Sequence, residues 1–448
     1  MIKHVVIIGG GFSGTLQAIN LLRHGEARVT LIERTSAPGR GLAYGAAHPG
    51  HLLNVPASGM SAFPDDPNHF VRWLQHRGVD NAATTFAPRL NYGAYLGELL
   101  ATASREYPDR FVVLHDEAQD VTQHGKGARV HMRSTVVDAE VAVLAIGNLA
   151  PGSPRKMRGL AEGLYVPDPW HSAALDGLGT DDTVLILGTG LTMVDVALSL
   201  SARHFSGKVL ALSRRGLVPH AHDFSTYPTP PLRERPLYSA SKLVRAVRDR
   251  ANDIGWRGAV DELRPFTREL WLAASPADRR RFLRHLRPWW DVHRHRIAPD
   301  VHKRLVAMRA SGQLAIRAGN LCAVEEHGQS AIVSWRPRGG DQTRQHSVQR
   351  IINCTGPLSD VSRTSDPLLQ RLVARGSIRP DDLRLGIDVD TSARTIDADG
   401  DANNWLVAVG PTTRSTFWEI IAVPDIRVQT LTLARRLSNA HWIDAGGL

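Results

Sequence analysis

The feature that most constrains this chain is a strand that runs straight into a glycine-rich turn. His4-Val5-Val6-Ile7-Ile8 is followed directly by Gly9-Gly10-Gly11-Phe12-Ser13-Gly14. The unbroken apolar run suits a central parallel strand buried on both faces, and the glycines have the spacing G-x-G-x-x-G where strand should turn into helix. Gly9 permits the tight turn, Gly11 lets backbone approach a pyrophosphate, and Gly14 allows close packing of helix on strand, with Phe12 and Ser13 between them. The phosphates would lie on the helix N-terminus. Thr15 to His24 reads as that helix, with Gly25 in the position after it, and Val29 to Ile32 as a second buried strand ending at Glu33. An acid there binds ribose hydroxyls, so this nucleotide is expected to be FAD or NAD rather than NADP.

The length of 448 residues allows two or three domains. Hydrophobic residues at 42% and charged residues at 22% describe an ordinary soluble protein. The first strand begins by residue 4, which leaves no room for a signal or transit peptide, and no apolar run approaches a membrane span, so a cytoplasmic location is expected. Cys322 and Cys354 are far apart, which excludes a disulfide framework, a zinc spacing and the C-x-x-C of dithiol flavoprotein reductases. The formal charge of +10 arrives without any nucleic-acid motif and suits a protein that draws in anionic cofactors and a small anionic substrate.

After Glu33 come Arg34 and the run Pro38-Gly39-Arg40-Gly41-Leu42-Ala43-Tyr44-Gly45, too rich in glycine for regular structure and placed where a flavin's pyrophosphate and ribityl chain would pass. Asn68 is positioned to cap a helix with Phe70, Val71, Trp73 and Leu74 as its apolar positions. Segments at 111–114, 128–132 and 139–145 read as a small antiparallel meander whose last strand rejoins the parallel sheet and ends near the cofactor at Gly147. A linker rich in Pro and Gly follows at 151–159.

The plan then repeats. Val184 to Leu187 is a buried strand, Gly188-Thr189-Gly190 a second turn, and Leu191-Thr192 the start of a second helix, with Met193 in place of the third glycine. The matching second strand, 208–212, ends in Ser213-Arg214-Arg215 instead of an acid. Arginines there suit a 2′-phosphate, so the second nucleotide is expected to be NADPH, with NADH possible. Sheet signals at 314–316, 331–335 and 350–353 close on Gly356 and duplicate the earlier order of Rossmann unit, meander and glycine-ended strand.

Between the copies lies a segment of helical composition, heavy in Arg, His and Trp. Metal spacing can be imagined for His220, His222 and Asp223 or for His293 and His295, but no carboxylate-histidine set at helical i, i+4 supports it, and no metal is expected. Near the end, a strand at 405–409 leads through Gly410 into an expected helix over 417–437 that carries Trp418 and Glu419 early, an arrangement able to complete a flavin site. The fold expected is α/β with two Rossmann-like dinucleotide-binding domains. Residues 1–165 form the first part of the FAD-binding domain, 166–345 the NAD(P)H-binding domain with a helical insertion at about 225–310, and 346–448 the C-terminal part of the FAD-binding domain.

Several strings together resemble one family. They are Gly9 to Gly14, His51-Leu52-Leu53-Asn54-Val55-Pro56 with Met60-Ser61, Asp168-Pro169-Trp170, Gly188 to Asp195, Ser213-Arg214-Arg215-Gly216, Trp290-Asp291-Val292-His293-Arg294-His295-Arg296, Asn353-Cys354-Thr355-Gly356-Pro357, and Trp418-Glu419 followed by Ala422-Val423-Pro424-Asp425. The chain resembles the two-nucleotide flavoprotein monooxygenases that include FAD-dependent urate hydroxylase and L-aspartate N-monooxygenase. The resemblance implies reduction of FAD by NAD(P)H, a flavin C4a-hydroperoxide, and transfer of one oxygen to substrate. It makes Met193 a family feature and places Asn54 and Ser61 at the flavin. It also suggests a substrate pocket at Trp290, His293, Arg294 and Arg296, with Arg294 or Arg296 clamping an anion. Urate is the first expectation, because the chain lacks the long extensions of the aspartate enzymes. An amino-acid N-monooxygenase, an NAD(P)H-dependent flavin reductase and a non-catalytic redox sensor are the alternatives.

Overall fold

Two largely parallel sheets, each opened by one of the glycine turns, organise the computed structural model, which describes residues 4–223, 235–236 and 240–438. The chain divides into two compact units: Met1–Ala47, Pro56–Leu149 and Leu358–Leu448 in one, His48–Val55 and Ala150–Pro357 in the other.

In the first unit, β1 (His4–Ile8), α1 (Phe12–His24) and β2 (Arg28–Glu33) form the expected strand–turn–helix–strand. Every residue of β1 is buried, and each of its Val and Ile side chains contributes about 1.5–3 kcal/mol by leaving water. Next come α2 (Gly41–Gly45), α3 (His69–Gln75), α4 (Arg89–Glu106) and β3 (Phe111–His115). Strands β4 (Ala118–His124), β5 (Gly127–Met132) and β6 (Val136–Ala139) make a separate antiparallel meander, and β7 (Val141–Leu144) returns to β1.

The second unit repeats this order. It contains β8 (Tyr165–Val166), β9 (Thr183–Leu187), α5 (Leu191–Ala202) and β10 (Lys208–Ser213). A helical stretch follows: α6 (Ala240–Glu262), α7 (Thr267–Ala273), α8 (Pro276–Arg281), a π-helical turn (Phe282–Leu286), α9 (Arg287–Arg294) and α10 (Pro299–Ala310). Then come β11 (Leu314–His327), β12 (Ser330–Pro337), β13 (Arg344–Val348) and β14 (Arg350–Asn353). The core of this unit packs Leu185, Leu210, Val333 and Ile351 around Trp335, which is 1% exposed. The chain completes the first unit with α11 (Pro367–Ala374), β15 (Arg394–Ile396), β16 (Ala402–Ala408) and α12 (Val423–Leu437).

The strand orders are β15-β16-β7-β1-β2-β3 and β13-β12-β11-β10-β9-β14-β8. In each sheet the strand before the glycine turn has its next strand on one side and a late-returning strand on the other: β2 and β7 beside β1, β10 and β14 beside β9. Both turns therefore lie where the strand order reverses, the place at which open α/β sheets bind ligands. Among the described residues no helix is long and apolar enough to cross a membrane, and no group of three or more His, Cys, Asp or Glu could hold a metal ion.

Several expectations are corrected. Residues 111–114 do not join the meander, because β3 pairs in parallel with β2 and extends the main sheet. The glycine-rich run after Arg34 contains the short helix α2. The units divide at Leu149/Ala150 and Pro357/Leu358, not at 165/166 and 345/346, because β8 and β14 hydrogen-bond into the second sheet. Within the expected insertion at about 225–310, α10 is the crossover that makes β11 parallel to β10, and residues 225–234 and 237–239 lie outside the described residues. The last helix begins at Val423 instead of 417, with Pro424 in its first turn, where a missing N–H costs nothing. Gly25 ends α1 in extended geometry, φ −157°, and is small for a tertiary reason: a Cβ there would lie 2.1 Å from Ser438 Oγ.

Candidate functional site

The two turns distinguish glycines required by the protein from glycines required by something else. Gly9 has φ +102°, and a Cβ on it would sit 2.5 Å from the Ala145 carbonyl oxygen; on Gly14 it would sit 1.8 Å from the Gly9 carbonyl oxygen. Packing of turn, helix and β7 accounts for both. Gly11 is different, with φ −74° and ψ −165°, open to any residue, and a Cβ that would touch only Gly41 Cα at an ordinary 3.5 Å. The second copy behaves alike. Gly188 has φ +108° and would collide with the Cys354 carbonyl oxygen, whereas Gly190 has φ −83°, ψ −162° and nothing within 4 Å of its Cβ. The central glycine of each turn thus keeps open a space that the protein does not fill. Neither α1 nor α5 has a side-chain cap, so the N–H groups of their first turns, at Phe12-Ser13 and Leu191-Thr192, are left to a ligand. A pyrophosphate fits both places.

Glu33 is buried at the end of β2 and accepts hydrogen bonds from Gly10 N–H and Thr35 N–H, both at 2.7 Å. A carboxylate has about four acceptor positions, so two remain for ribose hydroxyls. Gly10 lies outside the G-x-G-x-x-G positions, yet a Cβ there would meet Glu33 Cβ at 2.9 Å. The run of three glycines was the signal for it. The loop after β2 also folds back on the turn: Gly39 N–H donates to the Gly10 carbonyl at 2.7 Å, and a Cβ on Gly41 would lie 2.9 Å from Gly11 Cα. Phe12 and Tyr44 join Tyr92 in an aromatic cluster beside it, with Tyr44 and Tyr92 centroids 4.8 Å apart. Burial pushes both tyrosine hydroxyls up from their ordinary pKa. Tyr44 lies in the run expected beside the flavin, whereas Tyr92 was not expected from the sequence, because no local pattern marks α4 as facing this turn.

The other residues expected at the flavin divide. Gly147, φ +71°, follows β7 with open space at its Cβ position. Gly410, φ +81°, follows β16 and presses on α1: a Cβ there would lie 2.5 Å from Ser13 Oγ. Trp418 and Glu419 are buried in the turn before α12 instead of on the expected helix, and the Arg414 guanidinium stacks 4.4 Å above the Trp418 ring. Arg40 is exposed, and Arg34 points to Glu117 at 3.5 Å. Ser61 is fully buried and spends its hydroxyl proton locally, on the carbonyls of Phe63 and Asp66. In the second unit, the Asn54 carbonyl pairs with His222 Nε2 at 2.8 Å, and burial lowers the pKa of that imidazole.

At the second turn Thr189 Oγ1 donates to the Leu217 carbonyl at 2.5 Å, so Ser213 Oγ must give its one proton to Thr189, at 2.8 Å, while accepting from Gly216 N–H at 2.9 Å. Ser213 therefore shapes the turn and has no proton left for a phosphate. Arg214 is exposed and Arg215 half-buried just beyond it. Gly356, φ +91°, follows β14 as Gly147 follows β7.

The segment expected to clamp an anion is resolved residue by residue. Arg296 is 6% exposed and makes four hydrogen bonds: Nε to the His293 carbonyl, Nη1 and Nη2 to the two Asp261 carboxylate oxygens at 2.9 and 3.0 Å, and Nη2 to the Arg257 carbonyl. Its fork is committed within the protein, which removes it from the clamp. The His293 ring meets Trp256 edge-to-face and His220 at a tilt, centroids 4.8 Å from each, and its Nδ1 pairs with the Trp289 carbonyl. Trp290 and Arg294 are half-buried on α9.

Residues 6–149 match a family model described as FAD-NAD(P)-binding. No curated protein matches the chain. Among solved structures, the chain is similar to ornithine hydroxylase from Pseudomonas aeruginosa at 15% identity and TM-score 0.68, over 98% of this chain and 99% of that one. L-lysine 6-monooxygenase from Pseudomonas syringae matches at 16% identity and TM-score 0.65, over 97% and 99% of the two chains. The FAD-bound cadaverine monooxygenase from Erwinia amylovora matches at 14% identity and TM-score 0.68, over 98% and 95%. Residues 6–149 thus match the FAD-NAD(P)-binding family, and the whole chain has an α/β fold similar to that of the flavin N-monooxygenases.

Proposed function

We propose that the protein is a cytoplasmic, FAD-dependent, NADPH-using monooxygenase that hydroxylates the amine nitrogen of a small amine or amino acid. The observation that carries this reading is the pair of central glycines, Gly11 and Gly190, each keeping a cradle open at a helix N-terminus with no conformational or packing need for glycine. One chain with two such cradles suits a flavin held in the first unit and a nicotinamide nucleotide in the second. Bound FAD, once reduced by NADPH, supplies the activation of O2. The protein's part is to hold both nucleotides and shield the reacting centre from water. The likeness to ornithine, lysine and cadaverine hydroxylases supports an amine substrate better than urate, which was the first expectation. On this reading His293, Arg294 and Trp290 remain the substrate-side candidates.

A panel of L-ornithine, L-lysine, cadaverine, L-aspartate and urate tests the proposal, scored for NADPH oxidation, O2 uptake, peroxide release and hydroxylamine formation. One amine is expected to stimulate all but peroxide release. Stimulation by urate alone, or NADPH oxidation that yields only peroxide with every amine, would sink it.

The nucleotide assignment has its own test. Replacing Arg214 and Arg215 by Ala should raise the KM for NADPH far more than that for NADH, because charge-assisted bonds to a 2′-phosphate are worth roughly 1.5–3 kcal/mol. Equal effects on both nucleotides would remove the basis for preferring NADPH.

A further inference from the structure

The insertion between β10 and α10 carries a row of arginines whose partners differ sharply. Arg279 folds back on its own helices, Nε to the Trp271 and Ala274 carbonyls at 2.9 and 3.1 Å and Nη2 to the Leu272 carbonyl at 2.9 Å. Arg281 pairs with Asp278 at 3.1 Å, and Arg287 with Asp291 at 3.5 Å. Arg284 is exposed, and its guanidinium has no hydrogen bond or ion pair among the described residues. It sits in the π-helical turn Phe282–Leu286, a wide turn of a kind that often marks functional sites. Arg215 reaches this turn directly, donating from Nη2 to the Arg284 carbonyl at 3.4 Å. The contact brings the insertion to the end of β10, beside the position of the 2′-phosphate.

Part of the donor capacity at that position is already used. Ser213 has spent its proton on Thr189, and one of the Arg215 donors is taken by the insertion. A 2′-phosphate is a dianion near neutral pH with three acceptor oxygens, which leaves positions for a cation beyond Arg214 and the remaining donors of Arg215.

We infer that Arg284 is a further cation of the 2′-phosphate site, so that the helical insertion is an element of nucleotide specificity. The inference rests on the reading of Ser213-Arg214-Arg215 as the 2′-phosphate position. Arg215 anchors the π-helical turn through the Arg284 carbonyl, which brings the Arg284 guanidinium within reach of the phosphate. NADPH, not NADH, then binds both the Rossmann unit and the insertion.

Calorimetric titration of the FAD-loaded protein with NADP+, NAD+ and adenosine 2′,5′-bisphosphate tests this. Arg284→Ala should weaken NADP+ and the bisphosphate about tenfold and leave NAD+ unchanged. Arg280→Ala, an exposed arginine on the same stretch, should change none of the three. Loss of NADP+ affinity in Arg214→Ala with none in Arg284→Ala would overturn the role of Arg284 and leave the 2′-phosphate reading standing. Equal weakening of NADP+ and NAD+ by Arg284→Ala would also overturn it, by showing a structural effect. No change in either variant would overturn the 2′-phosphate reading and the inference with it.

Discussion

Gly11→Ala is expected to give a folded protein that has lost its yellow colour, and Gly14→Ala to give little folded protein at all. The two glycines lie in one turn and differ in what surrounds them. At Gly11 the backbone angles suit alanine, and the nearest atom to a new Cβ is Gly41 Cα at 3.5 Å, so the fold has room for the methyl group. The methyl would occupy the cradle that a pyrophosphate needs, and FAD content should fall to near zero. At Gly14 a Cβ would lie 1.8 Å from the Gly9 carbonyl oxygen and 3.3 Å from Ala145 Cβ. Backbone cannot rotate out of the way as a side chain can, so helix and strand must separate. Overpacking typically costs roughly 1–3 kcal/mol and more where backbone itself is struck, a large share of the roughly 5–15 kcal/mol that holds a domain folded. Flavin absorbance per mole of purified protein and a thermal melt distinguish the two effects. Full FAD content in Gly11→Ala would show that the turn holds no phosphate, and a wild-type melt for Gly14→Ala would show that the close approach is not needed.

The second large effect concerns Arg296. A clamp for a substrate anion would lose coupling on truncation and keep its stability. The geometry leads to the opposite outcome. The Arg296 side chain is 7% exposed while its partner Asp261 is 52% exposed, so truncation strands no buried carboxylate, and the full penalty of a broken buried pair does not apply. What is lost is packing beside Trp256, whose ring centroid is 5.2 Å from the guanidinium carbon, and the bonds to Asp261 and to the Arg257 and His293 carbonyls. Two carbonyls lose a charged donor in a region of low solvent access. Arg296→Ala should therefore destabilise by roughly 1.5–3 kcal/mol, lowering the melting temperature of the second unit by roughly 4–10 °C. FAD content should not change. An unaltered melt together with raised peroxide release would restore Arg296 to the substrate.

The residues that were legible in the sequence share a property: each acts within a few positions of its neighbours. A strand buried on both faces, a turn that needs positive φ and a helix that begins on glycine are local events. Period and residue type are therefore enough to place β1, β9, both turns and the acid or arginine that ends each second strand. Repetition of the same order in both halves implied two sheets, since parallel strands need crossovers of helical length.

Only the tertiary structure decided the contacts between distant segments. Arg296, just past the end of α9, meets Asp261, which lies 35 positions upstream on α6. Strand pattern at 111–114 does not reveal whether β3 joins the meander or pairs with β2, because an edge strand alternates in the same way in either sheet. Gly25 fits a local rule and Gly10 does not, yet each is explained by a distant atom, Ser438 Oγ and Glu33 Cβ respectively. The single proton on Ser213 goes to Thr189, a use that residue type alone does not reveal. In every such case the deciding quantity is a distance across the fold. The sequence determined which groups were present and what each could do; packing determined which of them were already spent.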